Sequence, residues 1–175
     1  VLFEIGNFIL IYATARRLYD RGEALRRITF YAALFYPVYV LTANFDTVPL
    51  FFMLLGLYLI LEGRSIASGI ALGAGFCVKL TPIILLAVGF RVLSGIRDKV
   101  MHVVAAILTI IGLSLPFLIL DANLYLMPFR ATIGRGSWEN VWALLEGFFG
   151  YGEVGGDRFD RLASDFSLHP STLPW

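Results

Sequence analysis

The sequence predicts an all-α fold: a polytopic bundle of transmembrane helices, some of them short or broken, with an extracytoplasmic loop carrying an interfacial amphipathic helix. Three observations predict it. Of 175 residues, 58% are hydrophobic and only 15% charged, with a mean hydropathy of +0.78. A soluble domain averages about 25% charged residues, so this chain has too little polar surface to clothe a water-soluble globule. The apolar residues are gathered into six runs, roughly 1–15, 28–43, 47–61, 66–78, 82–93 and 100–120. The segments between the runs alternate in charge.

The first run opens at Val1 and contains Glu4, without the basic segment that begins a secretory signal. It therefore reads as the interior of a larger polytopic protein, and the closing Pro174-Trp175 resembles the interfacial approach to another span. A full crossing takes about 20 apolar residues, with about 17 as a practical minimum. The third, fourth and fifth runs fall short of that, so thinning, tilt or half-helices are expected. Broken helices at membrane depth survive where protein or a watery cavity satisfies the freed backbone, and for that reason they mark binding sites.

In the fourth run Gly69 and Gly73 form a small-xxx-small pair, and Ala67, Ala71 and Ala74 keep the helix slim. Such a surface predicts close packing against another helix. The stretch 66–93 admits two spans, a re-entrant hairpin or one kinked span. Charge parity favours two crossings. Alternating runs put Arg16, Arg17, Arg21, Arg26, Arg27, Arg64, Arg91, Arg97 and Lys99 on one side, with Asp20, Glu23, Glu62 and Asp98 as its acids. By the positive-inside rule that side is cytoplasmic. The other side receives Glu4, Asp46, Lys79 and Asp121, and one kinked span at 66–93 would move Arg97 and Lys99 to it.

These patterns divide the chain into a helix bundle, 1–120, and an extracytoplasmic loop, 121–175. In the loop, acids mix with seven glycines between Gly134 and Gly156. Trp138, Val141, Trp142, Leu145 and Phe149 recur at helical spacing, with Ser137 as N-cap and Gly150 as stop, which predicts an amphipathic helix over 138–149 along the outer interface.

Several classes are excluded or weakly supported. A net charge of +1 gives no basic face for nucleic acid. The single Cys77 makes neither an intrachain disulfide nor a metal site by itself, and His102 and His169 are isolated. Asp157 and Asp160 have a D-x-x-D spacing, which in a Gly-rich acidic loop more often means solvation than cation binding. No P-loop, GxSxG, HExxH or CxxC occurs.

The polar residues in apolar surroundings are more informative. Asn44-Phe45-Asp46-Thr47 interrupts two apolar runs, and a carboxylate at the edge of the hydrocarbon usually faces a cavity or a partner. Asp46 equally suits the N-cap of a helix whose first turn holds Pro49. Lys79, in Lys79-Leu80-Thr81-Pro82, stands on the outer side against the general bias, where a compact ammonium suits a phosphate or snorkels to headgroups. Arg130 and Arg135, beside Gly134 and Gly136, are candidates to clamp the same anion, although solvated loop charges are commoner.

Tyr36-Pro37 through Asn44-Phe45-Asp46, the run ending Leu61-Glu62-Gly63-Arg64, and Ile70-Ala71-Leu72-Gly73-Ala74-Gly75-Phe76-Cys77-Val78-Lys79-Leu80-Thr81-Pro82 together carry a resemblance. The pattern resembles the middle of multi-span glycosyltransferases of the GT-C class, particularly the bacterial mannosyltransferase-like branch that uses polyprenyl-phosphate sugars. It is best from Ile28 to Lys99, and Trp138-Glu139-Asn140-Val141-Trp142-Ala143 looks like an outer-loop motif of related proteins.

The resemblance implies a bacterial or archaeal cytoplasmic-membrane enzyme with its active site facing outward, where a lipid-linked sugar donor meets an acceptor hydroxyl. The class usually places its catalytic acid in the first outer loop, and this sequence reads as beginning after it. Asp46 is carried over as the outer-loop carboxylate, orienting the acceptor or assisting as base, and Lys79 as the basic residue that binds the donor phosphate with Arg130 and Arg135. Asn44 and Glu139 stand as acceptor-side or structural residues. The implied chemistry is inverting or metal-assisted transfer, which makes a divalent cation a candidate cofactor. The rival classes are a secondary transporter, which also uses short broken helices, and a non-enzymatic membrane scaffold.

Overall fold

The computed structural model describes residues 2–33 and 46–133, with side chains as far as Phe129. Every regular element among them is helical: α1 (Leu2–Leu18), α2 (Arg21–Ala33), α3 (Thr47–Leu61), α4 (Ser65–Val78), a 3-10 turn (Thr81–Ile84), α5 (Leu85–Val92) and α6 (Ile96–Ile133). The fold is all-α. The chain forms two compact units, Val1–Pro116 and Phe117–Trp175.

Within the first unit the helices alternate in direction. Tyr31 meets Glu4, and Phe8 meets Tyr31 edge-on at 5.3 Å, so α2 runs antiparallel to α1. Asn7 reaches Thr47 while Arg17 pairs with Glu62 at 3.0 Å, so α3 runs parallel to α1. Gly56 abuts Leu72 and Gly75 abuts Phe52, so α4 returns antiparallel to α3.

Residues 65–92 form a hairpin with two legs. Pro82 lies against Gly75 near the end of α4, whereas Gly89 lies against the ring of His102, which bonds Ser68 near the start of α4. The chain therefore turns at 79–82 and comes back down beside the helix it has just left.

Glycine spacing sets how α4 meets α6. A Cβ on Gly69 would run into the His102 carbonyl oxygen, and one on Gly73 would stand 2.6 Å from that of Ala106. Only hydrogen fits at these two crossings, and the backbones approach as small-xxx-small surfaces allow.

The distribution of side chains is inverted relative to a soluble bundle. α1 buries Glu4, Asn7, Leu10, Thr14 and Ala15 while Leu2, Ile5, Ile9 and Leu18 are exposed. α4 buries Ser65 and Ser68 and exposes Ile66 and Ile70; α6 buries His102, Ala105 and Ala106 and exposes Ile107, Leu108 and Ile111. Polar residues inside and branched aliphatics outside suit lipid as solvent. Within α6, Ile96–Phe129 is a 34-residue stretch long and apolar enough to cross a bilayer, and the apolar helices Thr47–Leu61, Ser65–Val78 and Thr81–Val92 are shorter.

The two ends of the first unit differ in charge. Arg16, Arg17, Asp20, Arg21, Glu62, Arg64, Arg97 and Asp98 belong to the turns at the basic end, where Arg27 also stacks over the Tyr19 ring at 4.1 Å. Asp20 caps α2 by accepting the Glu23 backbone N–H at 2.9 Å. That bond, with smaller contributions from the Gly22 N–H, Arg16 and Arg26, holds its carboxyl below the usual carboxylate range. Glu4, Asp46 and Lys79 belong to the opposite end.

In the second unit the chain stays helical to Ile133, past a non-helical Asp121 (φ −158°, ψ 96°). Asp121 restarts the helix by accepting the Leu124 N–H at 3.0 Å, and Phe117 stacks on Tyr125 at 6.2 Å. The expected amphipathic helix over 138–149 lies outside the described residues, as do Asp157, Asp160 and His169.

Candidate active site

Two breaks in helical structure bring Asp46 and Lys79 together. α4 stops at Val78 because Lys79 turns to extended backbone (φ −156°, ψ 145°), its N–H still bonded to the Gly75 carbonyl at 2.9 Å. Pro82 has no N–H to give a continuing helix and instead begins the 3-10 turn. On the facing helix Asp46 occupies the N-cap of α3 at φ −68°, ψ −11°, but its carboxylate makes no capping bond. It accepts from Lys79 Nζ at 2.5 Å. From sequence the cap and site readings of Asp46 are even; the geometry leaves the carboxylate to Lys79.

This register is fixed by packing one turn below. A Cβ on Gly75 would stand 2.7 Å from Phe52 Cβ and 2.9 Å from Pro82 Cβ, so α3, α4 and the turn interlock at a point where no side chain fits. The pair itself is open, the Lys79 side chain 52% and that of Asp46 35% exposed. An exposed ion pair contributes only ~0–1 kcal/mol. Such a pair opens readily to admit a competing anion for the ammonium, or a hydroxyl for the carboxylate.

Behind the pair stands a buried polar array. The Glu4 carboxyl, 3% exposed, accepts from Asn7 Nδ2 at 2.9 Å and from the Tyr31 hydroxyl at 2.8 Å. Asn7, fully buried, also donates from Nδ2 to the Thr47 carbonyl at 3.2 Å. Both Glu4 oxygens are thus engaged, and the array ends on the residue bonded to Asp46. In the sequence Glu4 stands out only as an acid in an apolar run. Its spacing of three from Asn7, which puts both on one helical face, is the signal that could have found the array.

A second buried array lies toward the basic end. Ser68 Oγ donates to the Ser65 carbonyl at 2.8 Å and stands 2.7 Å from His102 Nδ1, while Ser65 Oγ donates to Asp98 Oδ1 at 3.2 Å. His102 is fully buried, and its Nε2 has no hydrogen-bond partner among the described residues; it faces Gly89, where an added Cβ would run into the imidazole. His102 thus joins α4, α5 and α6.

A divalent cation does not fit the described residues. No three His, Cys, Asp or Glu side chains gather among them, and the Asp46 carboxylate is already neutralised by an ammonium. Of the remaining sequence-derived site residues, Arg130 falls in the last turn of α6 with its side chain outside the described set, and Asn44, Arg135 and Glu139 lie outside the described residues.

No curated protein and no solved structure matches the chain. The family model of glycosyltransferase family 87 does match, over residues 1–150, a span that contains Glu4, Asp46, Lys79 and both buried arrays, and the chain belongs to that family.

Proposed function

We propose that the protein transfers a sugar of the mannose type from a polyprenyl-phosphate donor to an acceptor hydroxyl at the extracytoplasmic face of a bacterial or archaeal cytoplasmic membrane. The observation that carries this reading is the Asp46–Lys79 pair: an open cation and carboxylate in mutual contact at the end of the bundle opposite its arginines. The positive-inside rule assigns that end to the outside. Family membership supplies the reaction class.

In this reading the incoming donor phosphate takes the Lys79 ammonium from Asp46, exchanging one ion pair for another. The acceptor oxygen attacks the anomeric carbon, the bond from that carbon to the phosphate oxygen breaks, and the lipid phosphate leaves with the electron pair. Lys79 stabilises that developing charge. The released Asp46 carboxylate orients the acceptor hydroxyl and assists removal of its proton. Each of these roles falls to a side chain of this chain.

The test uses the intact protein in sealed vesicles with a lipid-linked radiolabelled sugar. Appearance of label in a glycosylated acceptor supports the transferase; movement of solute across the vesicle wall with no glycosyl transfer replaces it with the transporter reading.

A further inference from the structure

We infer that Glu4 is a positioning residue for the reaction, acting through Asn7 and the Thr47 carbonyl to hold Asp46 in register with Lys79. The inference takes its reaction from the transferase reading, but the geometry it concerns is independent of that reading.

Three helices meet in the array. Glu4 and Asn7 come from α1, Tyr31 from α2 and Thr47 from α3, so its two long-range bonds span 27 and 40 residues of sequence. A carboxyl group this deep is costly to bury, and replacing the whole array by apolar side chains of similar volume would often cost no stability. What the carboxyl group supplies instead is direction. Its Oε2 fixes the Asn7 amide, and the same Nδ2 then points at one carbonyl, that of Thr47. Tyr31 holds the other oxygen, so the carboxyl plane has little freedom to turn.

The target of the array is mechanically exposed. Asp46 has no side-chain cap, so among the described residues the entry of the first turn of α3 rests on its backbone bond from Leu50 N–H to the Asp46 carbonyl at 3.2 Å and on the packing of Phe51 and Phe52 against Phe3. The Asn7 bond to the next carbonyl along is therefore the cross-brace for that turn. Gly6, one residue away on α1, lies under the Phe51 ring, where a Cβ would come within 2.6 Å, so α1 and α3 are in direct contact at this level. A shift of Thr47 moves Asp46 with it, against a Lys79 anchored through the interlock of Gly75 and Pro82 with Phe52, more than a turn further along α3.

The experiment has a kinetic arm and a geometric arm, both in the intact protein. In the first, Glu4→Gln and Asn7→Leu are each made alone and with Asp46→Asn. The expected result is a fall in kcat of about tenfold or more with donor KM little changed. In the Asp46→Asn background the same changes should cost almost nothing further. Tyr31→Phe keeps the ring contact with Phe8 and guards against loss of fold, and a smaller fall of the same kind is expected for it. Equal losses with and without Asp46 would show that Glu4 acts elsewhere and overturn the inference.

In the geometric arm, Asp46→Cys and Lys79→Cys are combined with Cys77→Ser, and the joining of the two introduced thiols by a short bifunctional reagent is timed. The cross-link should form several-fold more slowly once Asn7→Leu or Glu4→Gln is added. An unchanged cross-linking rate overturns the inference. Because this arm needs no turnover, absence of sugar transfer by the intact protein together with slowed cross-linking in the Asn7→Leu or Glu4→Gln variant would refute the transferase reading and leave the positioning of Asp46 by Glu4 standing.

Discussion

The two ends of α4 carry polar residues in opposite ways. At its start Ser65 and Ser68 are buried and locked to each other, to Asp98 and to His102; just past its end Lys79 is half exposed and pairs with Asp46. The contrast is energetic. Leaving a buried polar group without its partner costs ~1–3 kcal/mol, so the Ser–His end is held in one arrangement. Opening an exposed ion pair costs ~0–1 kcal/mol, so the Lys79 end can exchange partners. One end joins helices and the other is free to open.

The comparison breaks first if the helix between its ends is not clamped. Gly73→Leu drives a side chain into the Ala106 carbonyl and Thr109, and a destabilisation of about 3 kcal/mol or more is expected, seen as loss of monodisperse protein in detergent. Ile70→Leu, at an exposed position of the same helix, should behave as wild type. Normal yield of Gly73→Leu would mean that this face looks at lipid.

A second test weighs the ends against each other. Ser68→Ala removes the hydroxyl beside His102 and should lower stability by ~1–3 kcal/mol in thermal unfolding. Lys79→Ala should lower it by no more than ~1 kcal/mol. The reverse order would contradict the division into a locked end and an open one.

Sidedness is tested by labelling. A cysteine at Gly155 should react with an impermeant reagent in intact cells and one at Gly22 should not, since Gly22 sits at the start of α2, beside the arginine-rich turn that follows α1. Labelling of position 22 alone would invert the assignment.

The smallest effect concerns Asp20. Its carboxyl is held below the ordinary range chiefly by the Glu23 N–H, so the ionised form is favoured by folding. The linkage sign follows: the contribution is present above the unfolded-state pKa and is lost as pH falls through the lowered folded-state value. Asp20→Ala should lower the melting temperature slightly at neutral pH and hardly at all in strong acid.

Why some of this is legible in sequence and some is not follows from locality. Gly69 and Gly73 repeat at a helical period, so their packing can be read along one stretch of chain. Asp46 and Lys79 are charges that interrupt apolar runs, and parity alone puts them on one side. Parity cannot say that they touch, because contact depends on where α4 ends and on the interlock of Gly75, Phe52 and Pro82. Residues 66–93 are ambiguous in sequence because a proline either kinks a helix or ends it, and the arbiter is Gly89 on His102, in a helix still further along the chain. The Glu4 array needs three helices assembled at once, and no local pattern announces Tyr31 or the Thr47 carbonyl as its members.

The measurement that bears most directly on the account is donor use by Lys79 variants. Transfer from a labelled polyprenyl-phosphate sugar is followed in reconstituted membranes with the intact protein, and donor KM and kcat are separated for wild type, Lys79→Ala and Lys79→Arg. Lys79→Ala should raise donor KM and slow transfer, by about tenfold or more in kcat/KM, and Lys79→Arg should recover part of both, because the charge persists on a differently shaped group. Donor KM and kcat in Lys79→Ala equal to wild type would reduce Lys79 to a membrane anchor and contradict the assignment of this end of the bundle as the active site.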